Sequence, residues 1–282
     1  MRILALETST EYCSTALWID GQVAQSHVLA GHTHSDILLP TVKRLMDQAG
    51  LGFAQLDGVA FGALDAIAFG AGPGSFTGLR IACGVAQGLA FAHDLPVVPV
   101  VSLESLAEQG DADAVIAAFD ARMGELYLAA YRRAGASGEG SSESSGGSGG
   151  GSSDGRSDGN SGADWSVQIA PMLVTAPVLD ASLPALAASS SAVQWLGMGS
   201  GFGSHGAVLT ARYAPVRVDA LCVPRAAAVA SIASRKLARG EALRAEDAAP
   251  LYLRNKVALD VREQAALRER QRVLRAAAAA AA

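Results

Sequence analysis

Lysine is nearly missing from this chain of 282 residues: Lys43, Lys236 and Lys256 are the only ones among 22 basic side chains. A Walker A loop needs Gly-x4-Gly-Lys followed by Ser or Thr, so the one marked glycine-rich turn, which has no lysine, is not a Walker A loop. Basic excess is missing too, since 27 acidic residues leave a net charge of −5. A chain that tracks a nucleic-acid backbone usually carries the opposite balance, which argues against strong nucleic-acid binding by this chain alone. The three cysteines, Cys13, Cys83 and Cys222, are scattered. That spacing suits a reducing cytosol and core or interface roles rather than a disulfide framework. None of the five histidines forms a His-x3-His pair. His32 and His34 stand two apart with no cluster of Cys or carboxylates beside them, a weak metal set, so no metal is expected. No apolar run reaches the roughly 18 residues of a membrane span, and the seven alanines at 276–282 fall short of it. The N-terminus opens on a strand-like run without a signal-peptide pattern, so a cytoplasmic protein is expected.

What is present is apolar. Half of the residues are hydrophobic, and the length allows two domains of roughly 150 residues each. The chain is organised around residues 70–80, GAGPGSFTGLR, between the apolar run 66–69 and a nearly uncharged stretch from Leu79 to His93. This reads as a strand-to-helix turn. Gly72, Gly74 and Gly78 allow backbone angles that a Cβ forbids, Pro73 stiffens the turn, and Ser75 or Thr77 caps the helix. The turn is not a dinucleotide fingerprint, because three residues separate its last two glycines. Nor is it a nucleophile elbow, because Pro73 and Thr77 flank Ser75 where glycines are required. It is built for close approach, of a ligand or of another stretch of backbone.

Periodicity gives the remaining elements. Residues 2–9, 13–19 and 22–30 read as strands, the last two joined by the hairpin turn Asp20-Gly21. A helix over 35–49 carries Leu38, Leu39, Val42, Leu45, Met46 and Ala49 as one stripe, with Pro40 kinking it or delaying its start. The central strand, the helix after the glycine turn, a strand at 97–101 and a helix at 102–109 complete a first unit. The second half repeats the order, with strands at 115–119, 126–132, 165–170 and 193–196 and helices at 177–188 and 224–239. Two successive βββαβα units predict an α/β fold with two lobes, 1–110 and 111–256. Residues 135–163, almost wholly Gly, Ser, Asp and Glu, cannot fill a core and read as a flexible insert between two strands. The stretch 257–282 reads as an exposed helical tail. A tandem repeat, LDGVAFGA at 56–63 and LDAIAFGA at 64–71, offers two candidates for the central strand, and continuity with the glycine turn favours the second.

GPGSFTGLR at 72–80, followed by an apolar helix and VPVVSLESLA at 98–107, closely resembles the TsaB (YeaZ) family. LALETST at 4–10, AFDARMGELYLAAY at 118–131 and PLYLRN at 250–255 agree with it. The resemblance covers residues 1–134 well and 165–256 more loosely. The insert and the second copy of the repeat depart from the family. The resemblance implies the actin-like (ASKHA, ribonuclease H-like) fold. It also implies a non-catalytic subunit, without cofactor, that binds the catalytic relative TsaD. Together they put threonylcarbamoyl on adenosine 37 of tRNAs reading ANN codons. The ATPase TsaE joins through that complex, tRNA is met only within it, and in isolation two copies of the chain pair with each other.

Glu7, Thr8 and Ser9, at the end of the first strand, stand where actin-like ATPases bring an acid and small hydroxyls to metal-bound phosphates. The resemblance implies that this turn is vestigial. In the second half, Asp120-Ala121-Arg122-Met123-Gly124 replaces the glycine-rich phosphate turn that such an ATPase repeats. Gly197-Met198-Gly199 reads as a strand-ending turn or as the lining of an adenosine pocket. The alternative function is an ATP-dependent small-molecule kinase of the same superfamily, with Asp120 as its only candidate acid. No catalytic set is complete. On the helix after the glycine turn, Ile81, Val85, Leu89 and Ala92 are expected to cover the sheet. Arg80, Gly84, Gln87, Gly88 and Phe91 then remain for a partner, alongside Leu38, Val42 and Met46 of the preceding helix.

Overall fold

The computed structural model describes residues 1–51, 64–134, 164–175, 186 and 193–254. Met1–Leu251 form one compact unit, and the chain from Tyr252 onward is a second. The first three strands, β1 (Arg2–Glu7), β2 (Tyr12–Ile19) and β3 (Gln22–Leu29), form an antiparallel meander. On its other side β1 pairs in parallel with β4 (Ala66–Gly72), and β4 with β5 (Val97–Val101), giving the order β3-β2-β1-β4-β5. The second copy of the tandem repeat therefore supplies the central strand. The first copy lies outside the described residues.

The second sheet repeats this plan. β6 (Ala114–Arg122), β7 (Glu125–Arg133) and β8 (Trp165–Thr175) are antiparallel. β9 (Trp195–Met198) and β10 (Arg217–Asp219) add in parallel beside β6, giving the order β10-β9-β6-β7-β8. Each sheet thus has its first strand in the middle, its meander on one side and its parallel strands on the other. The duplicated α/β architecture expected from the repeated pattern is present. The third strand of the second unit runs to Thr175, five residues beyond the expected end. The expected helix at 177–188, the insert at 135–163 and the tail at 257–282 lie outside the described residues, but for Leu186.

Residue alternation builds two cores on the first sheet. On one face Leu4, Leu6, Cys13, Leu17, Ile67 and Phe69 pack against α1 (His34–Gln48) and α2 (Phe76–Ala92). On the other, Ile3, Ala5, Ala16, Ala66, Ala68, Val98 and Val100 pack against Ala226, Val229, Ala230 and Ala233 of a late helix, α5 (Ala226–Ala238). That helix belongs to the second half of the sequence yet covers the first sheet. Periodicity within 224–239 announces an apolar face but not which sheet receives it. α3 (Ser102–Gln109) lies between the sheets, and α4 (Gly201–Tyr213) covers the second one through Phe202, Leu209 and Tyr213. α4 and β10 escape the sequence reading because Gly201, Gly203 and Gly206 break up the helical signal, and three exposed residues make a short edge strand.

Candidate functional site

The ends of β1 and β4 bring the two turns singled out in the sequence into contact. Glu7 is 2 % exposed. Its Oε1 accepts a hydrogen bond from the Ser9 amide at 2.6 Å and its Oε2 one from the Ser102 hydroxyl at 3.1 Å. Burial raises the Glu7 pKa, and the bonds from Ser9 and Ser102 pull it back only in part. Gly70 makes room for this carboxyl, because a Cβ there would stand 1.9 Å from Glu7 Oε2. Thr8 donates from Oγ1 to the Gly78 carbonyl at 2.7 Å. The Ser75 amide donates to the Ser9 carbonyl at 2.7 Å.

The glycines of the turn serve this contact. A Cβ on Gly74 would come within 2.5 Å of the Ser9 carbonyl oxygen, and one on Gly78 within 1.9 Å of that of Thr8. Gly72, at φ +112°, holds a backbone angle that side chains rarely adopt. Ser75 is the helix cap, its Oγ accepting from Gly78 N at 3.3 Å, while Thr77 is exposed in the first turn of α2. In a phosphate-binding turn the amides at the helix start point at the anion. Here those of Ser75 and Gly78 are bonded to the protein itself. The second sheet has a counterpart at Gly199 and Gly201, where an added Cβ would lie 2.4 Å from Ala118 O and 2.7 Å from Ala118 Cβ. The face of Gly197 is filled by the Phe202 ring, 2.6 Å from where a Cβ would sit. Asp120 accepts from Arg122 N at 2.8 Å through Oδ1 and faces the Arg122 guanidinium at 3.6 Å, as a hairpin-turn residue does. Burial pushes the Cys13 and Cys222 thiols up to about 11, so neither is a thiolate near neutral pH.

The second candidate is the outer face of α2. Its sheet-facing row is Leu79, Ala82, Cys83, Ala86 and Ala90, all buried. The expected row of Ile81, Val85, Leu89 and Ala92 is displaced by about a third of a turn at 100° per residue: the first three are partly buried along the flank and Ala92 is exposed. The row that faces the sheet is small but for Leu79, and the larger apolar residues lie at its side. Arg80, Gly84, Gly88 and Phe91 are exposed, Phe91 by 75 %, and a Cβ on Gly84 or Gly88 would meet nothing within 4 Å. Arg80 stacks over the Phe76 ring at 3.9 Å. Gln87 is half-buried, its Nε2 donating to Ala248 O at 2.9 Å. Leu38, Val42 and Met46, expected beside this face, are fully buried against the first sheet. The same apolar stripe that marks them in the sequence is what draws them into the core. α1 shows solvent its other side, with Leu39, Pro40, Lys43 and Arg44.

Residues 27–143 match the family model described as "TsaD: tRNA N6-adenosine threonylcarbamoyltransferase". A Haemophilus influenzae protein named tRNA threonylcarbamoyladenosine biosynthesis protein TsaB is 42% identical over 132 residues, 45% of this chain and 52% of that protein, so this match spans about half of the relative. The Escherichia coli protein of the same name is 30% identical over 262 residues, 92% of this chain and 96% of its own length. The chain belongs to the TsaB family. A Pseudomonas aeruginosa structure titled as similar to the peptidase YeaZ aligns at a TM-score of 0.68 with 35% identity, covering 90% of this chain and 99% of that one. With the TsaD-family match, this likeness makes the doubled α/β architecture an actin-like one.

Leu251, within the TsaB-like segment, also acquires a physical role. Residues 241–251 run as a strap along the open edge of β5 and back over α2. Leu243 exchanges two backbone hydrogen bonds of 2.8 Å with Val97, and Leu251 N donates to Ala71 O at 2.7 Å. The strap thus braces the glycine turn, and a Cβ on Gly72 would lie 3.1 Å from the Leu251 carbonyl oxygen. Sequence reasoning missed Gly70, Ser102 and this strap. Gly70 lies within the glycine-rich stretch, but only the fold shows which carboxyl it admits.

Proposed function

We propose that this chain is a non-catalytic cytoplasmic partner subunit in the formation of threonylcarbamoyladenosine at position 37 of tRNA. It docks on TsaD through the outer face of α2 and supports TsaD in its active form, and TsaE joins through the pair. The observation that carries this reading is the exposed row Arg80, Gly84, Gly88 and Phe91. Two glycines there lower helix propensity by about 1 kcal/mol each relative to alanine, yet no neighbour within the described chain needs their lack of a side chain. Room for a second helix is the physical return. The match of the first half to the TsaD family supports the pairing of like lobes. In isolation the same face accepts a second copy. The packing of Gly74 and Gly78 onto Ser9 and Thr8 supports a subunit without catalysis, because protein backbone occupies the position of a phosphate cradle. A net charge of −5 fits contact with tRNA only inside the complex.

The test is reconstitution. The purified chain alone is expected neither to modify tRNA nor to turn over ATP, and to form a complex with TsaD in sedimentation velocity. Transfer to tRNA without TsaD overturns the reading. Calorimetry showing tight Mg-ATP binding with turnover favours a kinase of the same superfamily instead.

A further inference from the structure

The described chain passes between the two sheets twice, through 102–113 by way of α3 and through 220–225 into α5. A hinge between the sheets has to flex at both crossings. The structure ties the crossings together: Gln109 Nε2 at the end of α3 donates to Val223 O at 3.0 Å. One residue away, Glu108 of α3 accepts four hydrogen bonds. Arg235 of α5 supplies two, from Nη1 to Oε1 and from Nη2 to Oε2, both at 2.9 Å. Ser231 Oγ adds one to Oε1 at 2.7 Å, and Trp165 Nε1 of β8 one to Oε2 at 2.7 Å. The remaining guanidinium nitrogen of Arg235, Nε, reaches Asp164 Oδ1 at 3.2 Å. Side-chain exposure is only 14 % for Arg235 and 7 % for Glu108. A bidentate arginine–carboxylate pair is planar and directional, so it fixes orientation as well as distance.

This cluster joins three bodies. Arg235 and Ser231 ride on the helix packed against the first sheet, Trp165 begins β8 of the second sheet with Asp164 just before it, and Glu108 sits on the helix between. We infer that Glu108 and Arg235 lock the hinge, so that the two sheets keep one orientation instead of opening and closing as a clamshell. Rotation of one sheet against the other would pull Trp165 and Asp164 away from Arg235 and Glu108, taking from the buried Glu108 carboxylate its Trp165 bond and from Arg235 its Asp164 partner, so the closed arrangement is the low-energy one. The chain then acts as a rigid platform. This lock does not depend on TsaD docking, because it belongs to the isolated chain.

Double electron–electron resonance tests it on the full chain. Spin labels are placed at Gln25→Cys on β3 and Gln168→Cys on β8, both exposed, in a Cys222→Ser background, with Cys13 and Cys83 buried. The wild-type lock is expected to give a single narrow distance distribution. Arg235→Met is expected to broaden it at least twofold. Trp165→Phe, which removes one hydrogen bond and keeps an aromatic ring, is expected to broaden it less and in the same sense, with native circular dichroism in each case. A broad or multi-peaked distribution in the wild-type background, recorded with the labelled chain diluted in unlabelled chain so that a second copy adds no distances, overturns the inference. So does a folded Arg235→Met of wild-type width. Should Arg235→Met fail to fold, a Trp165→Phe distribution no wider than wild type overturns it.

Discussion

Glycines at different places in this chain do opposite work, and substitution separates them. A Cβ added at Gly70 or at Gly78 would lie 1.9 Å from a protein atom, Glu7 Oε2 and Thr8 O respectively, and the latter is backbone and cannot swing aside. Gly78→Ala is therefore expected to destabilise the chain by about 1–3 kcal/mol or more, in the range of overpacked cores, read by urea denaturation. Gly84→Ala, which meets nothing within 4 Å, is expected to stabilise the isolated chain by up to about 1 kcal/mol through helix propensity. Glu7 gives a pH test. Its pKa is raised above 4.5 by burial, so as pH rises past 4.5 the unfolded chain releases this proton before the folded one does. The folded state then binds more protons, and stability falls with pH until the folded pKa is passed. Glu7→Gln keeps the acceptor for Ser9 N and removes the titration. The stability of the variant relative to wild type is expected to grow from pH 4.5 upward, and a difference independent of pH contradicts a raised Glu7.

Helices α1 and α2 each carry an apolar face on the first sheet, yet they divide their labour. α1 spends its stripe on the core, so Met46→Ala is expected to cost about 2–5 kcal/mol as a large-to-small core change, appearing in the stability of the monomer. α2 rests on the sheet through small residues and keeps an outer row for a partner. Gly84→Leu is expected to leave circular dichroism native and to abolish the complex with TsaD in sedimentation velocity. Phe91→Ala is expected to weaken the complex, as loss of an exposed aromatic anchor does. A folded Gly84→Leu that binds at wild-type affinity removes this helix from the interface.

Across the whole molecule, two sheets of one connectivity share helices rather than standing apart. α5 comes from the second half and covers the first sheet, and the strap at 241–251 closes the edge of β5. The base of the long Gly/Ser segment is equally defined: Ala134 N donates to Asp164 O at 2.7 Å, so the strands meet on either side of it. Deleting 137–162 with a short turn in its place is expected to leave stability unchanged or raise it by up to about 1.5 kcal/mol, because loop-closure entropy varies slowly with length. Loss of more than that in thermal or urea unfolding would assign the segment a packing role.

The chain sequence by itself determined the elements whose signals are local. A buried apolar run marked β1 and alternation β2, the Asp20-Gly21 turn marked the hairpin of β2 with β3, and the glycine turn marked a strand end and a helix start. The repeated order of elements gave the two-lobed α/β plan, because each lobe has to bury the same kind of faces. Long-range geometry decided the rest. Periodicity marks Leu38, Val42 and Met46 as an apolar stripe but is silent on whether a sheet or a partner covers it; the first sheet does. On α2 the buried row is mostly alanine while larger apolar residues lie along the flank, which only the packing against the first sheet reveals. Glu7 and the glycine turn were each visible in sequence, but not that Gly70, Gly74 and Gly78 are small in order to admit Glu7, Ser9 and Thr8. Close approach is a property of two segments about seventy residues apart, which no local pattern in either one records.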